Sequence, residues 1–403
     1  MSLRSTFTVA SIRGWQAPRL SSGPSLYNPL STDIQFGRRV KLSHDGNYLI
    51  AGSTNGAWIY KRNTGGSELN SWSLQQQLPT PAGSNSFGYS VDINGDGSLA
   101  AVGDPTWNST QGTNQGRLST FSRSGTTWSS VANITAPYDA LNLIPKFARE
   151  VTMDSIGTTI VPSFRTPTGF VSRIIYTCNL TSIVASNNSA WTGNPKVLAL
   201  SSQGTKLITN LYETVNALTV YTNTAYTLSN DSGILASSTI ISIAVNSDGT
   251  CYVYGDAGTP GAANTGTVTV RKLSAGVWSN TQLTFTTAGD KAGISVDINN
   301  AGDTIVIGTL RNTNTWVDTT DATQIGRNQT TGIVYVYRLI SGTWTQSATI
   351  ECNTGSVDGF GISVSIDKVS GTYIAIGSPT ATASLQNVKV YRYNGATWSN
   401  NIT

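Results

Sequence analysis

Seven times along this chain an alternating strand runs into a tight polar turn and returns as a short apolar strand. The fullest copy, residues 87–105, reads FGYSVDINGDGSLAAVGDP. The others begin FGRRVKLSHDGNYLIAG at Phe36, FAREVTMDSIGTTIV at Phe147, PKVLALSSQGTKLI at Pro195, IISIAVNSDGTCYVYG at Ile240, AGISVDINNAGDTIVIG at Ala292 and FGISVSIDKVSGTYIAIG at Phe360. One such unit has no second layer to bury its apolar side chains. Repetition at a spacing of about 45–70 residues therefore directs the chain to an array in which copies cover one another.

Each copy obeys the same rules. Val91 and Ile93 point to one side of a strand and Ser90 and Asp92 to the other, the period of two of a pleated strand. Gly97, Gly157, Gly204 and Gly249 fall in the following turn, where positive φ favours glycine. The second strands (LAAVG, TIVIG, YIAIG) are nearly continuous apolar runs, as burial on both faces demands. Third strands follow as AWIYKR, RLSTFSR, RIIYT, ALTVYT, TVTVRKL, IVYVYRL and VKVYRY. A fourth opens with Trp72, Trp128, Trp191, Trp278, Trp344 or Trp398, with Tyr226 in that place in the fourth copy. A large ring at one fixed position reads as a wedge between units.

These patterns predict an all-β, seven-bladed β-propeller of four-stranded antiparallel blades, with an open β-solenoid as the alternative. The blades span 36–79, 87–135, 147–192, 194–230, 238–287, 292–350 and 360–403, and residues 1–35 form an N-terminal extended arm.

The pattern F-G-x-S-V-x-(I/L)-x-x-D-G-x-x-x-A-V-G-x-P, followed by G-x-V-x-V-Y-x-R-x-G-x-x-W, resembles the FG-GAP class of propeller repeats, whose best-known members are integrin α-subunit head domains. The resemblance covers nearly everything from Phe36 onward; the second copy matches most fully and the third to fifth loosely. It implies a propeller used for adhesion or assembly, with enzymes a minority. It also implies calcium at loops such as Asp92-x-Asn94-x-Asp96-Gly97, where oxygens at alternate positions would converge. Ala100 and Gly103 occupy the later ligand positions, and the sister turns lack most of the carboxylates. A hairpin turn stabilised by its own Asx side chains is the favoured reading, so no cofactor is expected and Ca²⁺ is the alternative.

Composition narrows the function classes. Charged residues are 11% of the chain and the net charge is +4, with no dense Lys/Arg block, which argues against nucleic acid as a partner. No apolar run reaches membrane-spanning length. Ser and Thr interrupt the apolar segment of MSLRSTFTVASIR, so a Sec-type signal is not expected. Cys178, Cys251 and Cys352 lie in different copies and read as buried free thiols. The sequons at Asn108, Asn133, Asn179, Asn187, Asn230, Asn328 and Asn401 match chance in a chain this rich in Asn, Ser and Thr.

Catalysis has little material. His44 is the single histidine and sits in a turn, and the four glutamates Glu68, Glu150, Glu213 and Glu351 are scattered. The run 122–128 (SRSGTTW) lacks the aspartate of a sialidase-type Asp-box. The protein is expected to be no enzyme.

Binding is better supported. Connections between second and third strands emerge on the same face as connections between blades, and the long ones collect there: 104–115, 256–265, 309–331 and 378–386. Trp107, Trp316, Asp318, Asp321 and Arg327 within them are the candidate partner- or glycan-binding residues, with loop self-packing as the alternative. The arm, with Arg4, Arg13, Trp15 and Arg19, either docks on another subunit, the favoured role, or packs on the propeller's own rim and helps close the ring. The expectation is a non-enzymatic structural or adhesion module of a larger particle, such as a decoration, knob or fibre protein of a virion or phage. It would be displayed on that particle's surface and bind protein subunits and possible cell-surface glycans or receptors. A glycan- or receptor-binding lectin is the second reading, and a divergent glycoside hydrolase the third.

Overall fold

The computed structural model describes residues 19–20, 25–27, 29, 35–65, 70–110, 112–136, 146–163, 174–188, 193–213, 217–224, 227–235, 240–256, 265–283, 285, 289–309, 332–351, 359–379 and 387–399. They form seven antiparallel sheets, one per repeat, built on four strands each. Blade 2 is representative. Its strands Ser90–Ile93, Leu99–Asp104, Arg117–Ser124 and Thr127–Ile134 run in order from the axis outward. The other inner strands are Arg39–Leu42, Val151–Met153, Gly193–Leu200, Ile240–Val245, Ser295–Ile298 and Ser363–Ile366. Each touches the inner strand of the next blade, including the last against the first, so the ring is closed. The protein is a seven-bladed β-propeller.

The core is divided into clusters, each spanning two neighbouring blades. Val91, Val102 and Phe121 of blade 2 pack with Ile50, Ile59 and Leu78 of blade 1 around Trp128. Trp128 also donates from Nε1 to Gln75 Oε1 of blade 1 at 3.0 Å. Trp398 fills the same place between blades 6 and 7, and Trp344 packs between blades 5 and 6. These rings are the inter-blade wedges that their fixed sequence position predicts.

Two recurring glycines explain how closely the blades approach. The glycine ending the second strand lies against the backbone of the Phe-Gly element of the next blade. A Cβ added to Gly52, Gly103, Gly255, Gly308 or Gly377 would sit 1.9–2.2 Å from a carbonyl oxygen of Gly88, Ala148, Gly293, Gly361 or Gly37, respectively. No side chain fits in that gap. In blades 3 and 4 the equivalent residues are Ser163, which donates to Glu150 O, and Asn210, which pairs with Val197.

At the other end of each inner strand the turn is fixed twice. The first turn residue accepts, through its side-chain oxygen, the N–H that opens the second strand: Ser43 from Tyr48, Asn94 from Leu99, Asp154 from Thr159, Ser201 from Lys206, Asn246 from Cys251, Asn299 from Thr304 and Asp367 from Tyr373. The turns are then tied to one another by backbone bonds. Asp45 donates to Gly95 O, Gly95 to Ser155 O, Ser155 to Ser202 O and Gln203 to Ser247 O. Ser247 donates to Asn300 O, Asn300 to Lys368 O and Val369 to His44 O, which completes the circuit at 2.7–3.5 Å.

The arm belongs partly to the propeller. Ser25–Tyr27 pairs antiparallel with Lys389, Val388 and Asn387 of blade 7, while Trp398 and Ser399 pair with Tyr393 and Arg392 farther along the same strand. The outer strand of blade 7 is thus assembled from two distant segments. Leu26 packs on the cluster between blades 7 and 1, and the Tyr60 hydroxyl of blade 1 donates to Tyr27 O at 3.3 Å. Arg19–Leu20 adds a parallel fifth strand to blade 6 at Thr349 and Ile350. Arg19–Leu20 and Ser25–Tyr27 thereby pair with the propeller's own blades.

The glycine contacts give a direct test. Gly308→Ala should lower stability by about 2 kcal/mol or more, because the methyl group collides with a backbone carbonyl. Gly65→Ala, with no atom within 4 Å of its added Cβ, should change it by less than about 0.5 kcal/mol. Denaturant titration of both variants checks the difference.

Candidate functional site: the axial channel and the loop face

The inner strands surround a cavity of about 140 Å³ on the axis. In a chain with so few charges, six ionised side chains line it: Arg39, Lys41, Asp92, Glu150, Asp297 and Lys368. The strand period explains their grouping. Arg39 opens its inner strand and Glu150, its counterpart in the repeat, stands just before its own, while Lys41, Asp92 and Asp297 hold the third position of theirs.

Each carboxylate is already engaged. Arg39 Nη2 donates to Glu150 Oε1 at 2.6 Å, reaching from blade 1 past blade 2 to blade 3. Asp92 accepts the N–H of Ile93 at 2.9 Å and, across the blade boundary, that of Met153 at 2.8 Å. Asp297 repeats this arrangement with Ile298 and, in blade 7, Ile366. It also pairs with the Lys368 ammonium, which donates to Ile298 O at 2.7 Å.

The same tetrapeptide, Ser-Val-Asp-Ile, therefore meets two electrostatic surroundings. Burial raises the Asp92 carboxyl above its ordinary value, and the Lys41 ammonium with the two N–H donors only partly offsets this. Burial acts on Asp297 too, but Lys368 and Lys41 outweigh it and hold that carboxyl below the usual range. The difference comes from one turn position, where blade 7 carries Lys368 and blade 3 carries Ser155. Lys41 is itself raised: burial disfavours its charge, and Asp297, Asp92 and Glu150 more than compensate.

The three residues of the calcium-like turn do different work. The oxygens of Asp92 are spent on Ile93 and Met153 as above. Asn94 Oδ1 accepts the N–H groups of Ser98 and Leu99, each at 2.9 Å. Asp96 Oδ1 accepts from Ser98 N at 3.0 Å and Ser98 Oγ at 2.5 Å. Asp92 faces the next blade while Asn94 and Asp96 cap their own turn, so these residues do not fit a calcium cage.

Of the four long connections on the loop face, 104–115 lies among the described residues apart from Gln111. The buried Asp104 carboxylate accepts from Ser86 N at 2.8 Å, Ser86 Oγ at 3.0 Å and Arg117 Nη2 at 3.1 Å. Arg117 also donates to Ser84 Oγ and Ala82 O, and its guanidinium lies 4.9 Å from the centre of the Trp107 ring. Trp107 is half-buried, held from below by a cation that is itself fixed by three acceptors. Trp316, Asp318, Asp321 and Arg327 lie outside the described residues, as do Arg4, Arg13 and Trp15; Arg19 pairs with Thr349 in blade 6. Cys178 and Cys251 are buried free thiols, pushed up by burial to about 12 and about 11, and Cys352 lies outside the described residues.

Motif reading missed Arg39, Lys41, Asp297 and Lys368. A signal was available for the strand residues: aligned by repeat, acidic and basic residues occupy inner-strand columns that elsewhere hold Ser, Thr, Ala or Val.

No family model matches the chain, and no curated protein matches it. Among solved structures, a chain of Kuenenia stuttgartiensis hydrazine synthase aligns at 12% identity over 91% of this chain and 98% of that one, with a TM-score of 0.61. The β-propeller domain of Myceliophteria thermophila Cps50 (Swd1) aligns at 9% over 93% and 99%, with a TM-score of 0.57. A chain of a mitotic checkpoint complex aligns at 11% over 97% and 100%, with a TM-score of 0.54. At such identities the likeness shows the fold alone: this chain is a β-propeller.

His44 reports on the channel. Burial and the nearby Lys368 lower it from an ordinary 6.5 to about 4. The unfolded chain therefore binds more protons between those values, and stability falls as pH drops from about 6.5 to about 4, by at most about 3 kcal/mol. As the single histidine, His44 gives one imidazole titration by NMR, expected near pH 4. In His44→Gln the fall in stability over that window should be smaller.

Proposed function

We propose that this protein is a non-enzymatic propeller whose loop face holds a partner protein. The observation that carries this reading is the state of the channel. Its carboxylates are bonded to backbone N–H groups or to Arg39 and Lys368 across blade boundaries, and a carboxylate held that way is poorly placed to donate or accept a proton in a reaction. The channel charges serve the ring. Recognition is left to the face where the long connections emerge, and there Trp107 sits on a cation fixed by Asp104 and Ser84.

At a finer level, we propose a structural or adhesion component of a larger particle, such as a decoration, knob or fibre protein of a virion or phage, displayed on its surface. The low charge and the Ser/Thr/Asn/Gly-rich composition support this. Anchoring through the arm would use residues other than Arg19–Leu20 and Ser25–Tyr27, which pair with blades 6 and 7. A glycan-binding role has one observation in its favour, the partly exposed indole of Trp107, since aromatic rings are suited to stacking on sugars.

Site-specific photo-crosslinking in the native source tests the assignment of the face. A photoreactive residue at exposed Asn108, on the loop face, should cross-link to a second protein, and one at exposed Ile156, on the turn face, should not. Cross-links from Ile156 alone would reverse the assignment. A glycan array that binds wild type but not Trp107→Ala would replace the protein partner with a sugar.

A further inference from the structure

Pairing off the channel charges leaves one cation and one anion over. Arg39 holds Glu150, and Lys368 holds Asp297. Lys41 makes no hydrogen bond and no contact ion pair among the described residues; Asp297, Asp92 and Glu150 act on its ammonium only from a distance. Asp92 has no cation in contact either. Each of its oxygens accepts one N–H, from Ile93 or from Met153, and keeps a second lone pair.

The two leftover charges stand in one layer. Two residues before each first turn residue, the inner strands carry Lys41 in blade 1, Asp92 in blade 2 and Thr152 in blade 3. Blades 4 and 5 carry Ala199 and Ala244 there, and blades 6 and 7 carry Asp297 and Ser365. Thr152 Oγ1 accepts Leu200 N at 3.1 Å and Ser365 Oγ accepts Leu42 N at 3.0 Å, so both hydroxyls are engaged. The alanines are the smallest side chains of the layer. Around them, blades 4 and 5 line the cavity with Val197, Leu198, Ile243 and Val245 and with no charged group. One side of the channel is charged and the other aliphatic.

The cavity has room for a small molecule: about 140 Å³ is close to the volume of a protein cavity that takes up benzene. It opens to solvent, and Arg39 and Glu150 at its loop-face end keep 22% and 21% of their side chains exposed. A lone acid or a lone amine would add net charge to a site whose three cations and three carboxylates already cancel. A zwitterion adds none. We propose that the channel binds a free α-amino acid with a short aliphatic side chain. Its carboxylate accepts from the Lys41 ammonium, its amino group donates to the open lone pairs of Asp92, and its side chain rests on the wall of blades 4 and 5. This internal site is independent of the partner reading of the loop face.

The test is calorimetric titration of the full chain with L-valine, with 3-methylbutanoate, which lacks the amino group, and with 2-methylpropylamine, which lacks the carboxylate. Valine should bind saturably at one site per chain, and each analogue should bind at least about tenfold more weakly. Lys41→Met keeps the stem and removes the ammonium; it should weaken valine binding about tenfold or more. Lys61→Gln, at an exposed position outside the cavity, should leave binding unchanged. Circular dichroism confirms that each variant is folded; if Lys41→Met is not, Ala244→Leu, which fills the aliphatic side, takes its place with the same expected loss. No saturable binding of valine, or equal binding by wild type and the folded variant, overturns the site. Equal binding of valine and 3-methylbutanoate overturns the role of Asp92 and, with it, the amino-acid ligand.

Discussion

The propeller depends on a circuit of seven backbone hydrogen bonds that joins the turns of its inner hairpins, from Asp45 through Gly95, Ser155, Gln203, Ser247 and Asn300 to Val369. A ring of blades has no sheet that crosses its centre, so some bond must pass each boundary. Hydrophobic clusters between blades supply attraction without direction. The turn circuit supplies direction, because a backbone N–H and C=O fix where each turn stands relative to the next. The Asx and Ser side chains that cap the same turns make this possible: they satisfy the turn's internal donors and free the outward N–H for the neighbouring blade.

At the opposite end, packing rather than hydrogen bonding sets the spacing. The second-strand glycines allow one backbone to lie on the next at boundaries 1/2, 2/3, 5/6, 6/7 and 7/1. Ser163 and Asn210 stand in those places at the two boundaries of blade 4, and the described cluster between blades 3 and 4 is small: Val161, Leu200, Leu207 and Tyr221. Where the repeat pattern is weakest in sequence, the boundary lacks its usual contact.

The fold was legible because every repeat meets the same physical demands. Period-two strands, turn residues and one wedge ring per blade (tryptophan in six copies, Tyr226 in the fourth) are local features, and seven such units in series leave few architectures open. The role of the glycines in Phe-Gly and Ala-Val-Gly was not legible, since the collision they avoid is with a residue of the neighbouring blade, far away in sequence. The channel was hidden for a similar reason: Arg39 and Glu150 are 111 residues apart and meet only when blades 1 and 3 face the same axis. Asp92 reads as a cap of its own turn, with calcium as the alternative, when only local spacing can be seen. Its actual partner, Met153 N–H, belongs to another blade.

Rigidity is also the link from fold to proposed function. The channel charges and the turn circuit hold one end of the ring, and the loop face is thereby presented on a fixed frame. Amide hydrogen exchange, resolved by residue, tests the circuit most directly. The N–H groups of Asp45, Gly95, Ser155, Gln203, Ser247, Asn300 and Val369 should be protected to a common degree, close to that of inner-strand amides, because none can open without parting two blades. Exchange at rates typical of exposed turns, or at widely different rates around the ring, would contradict it.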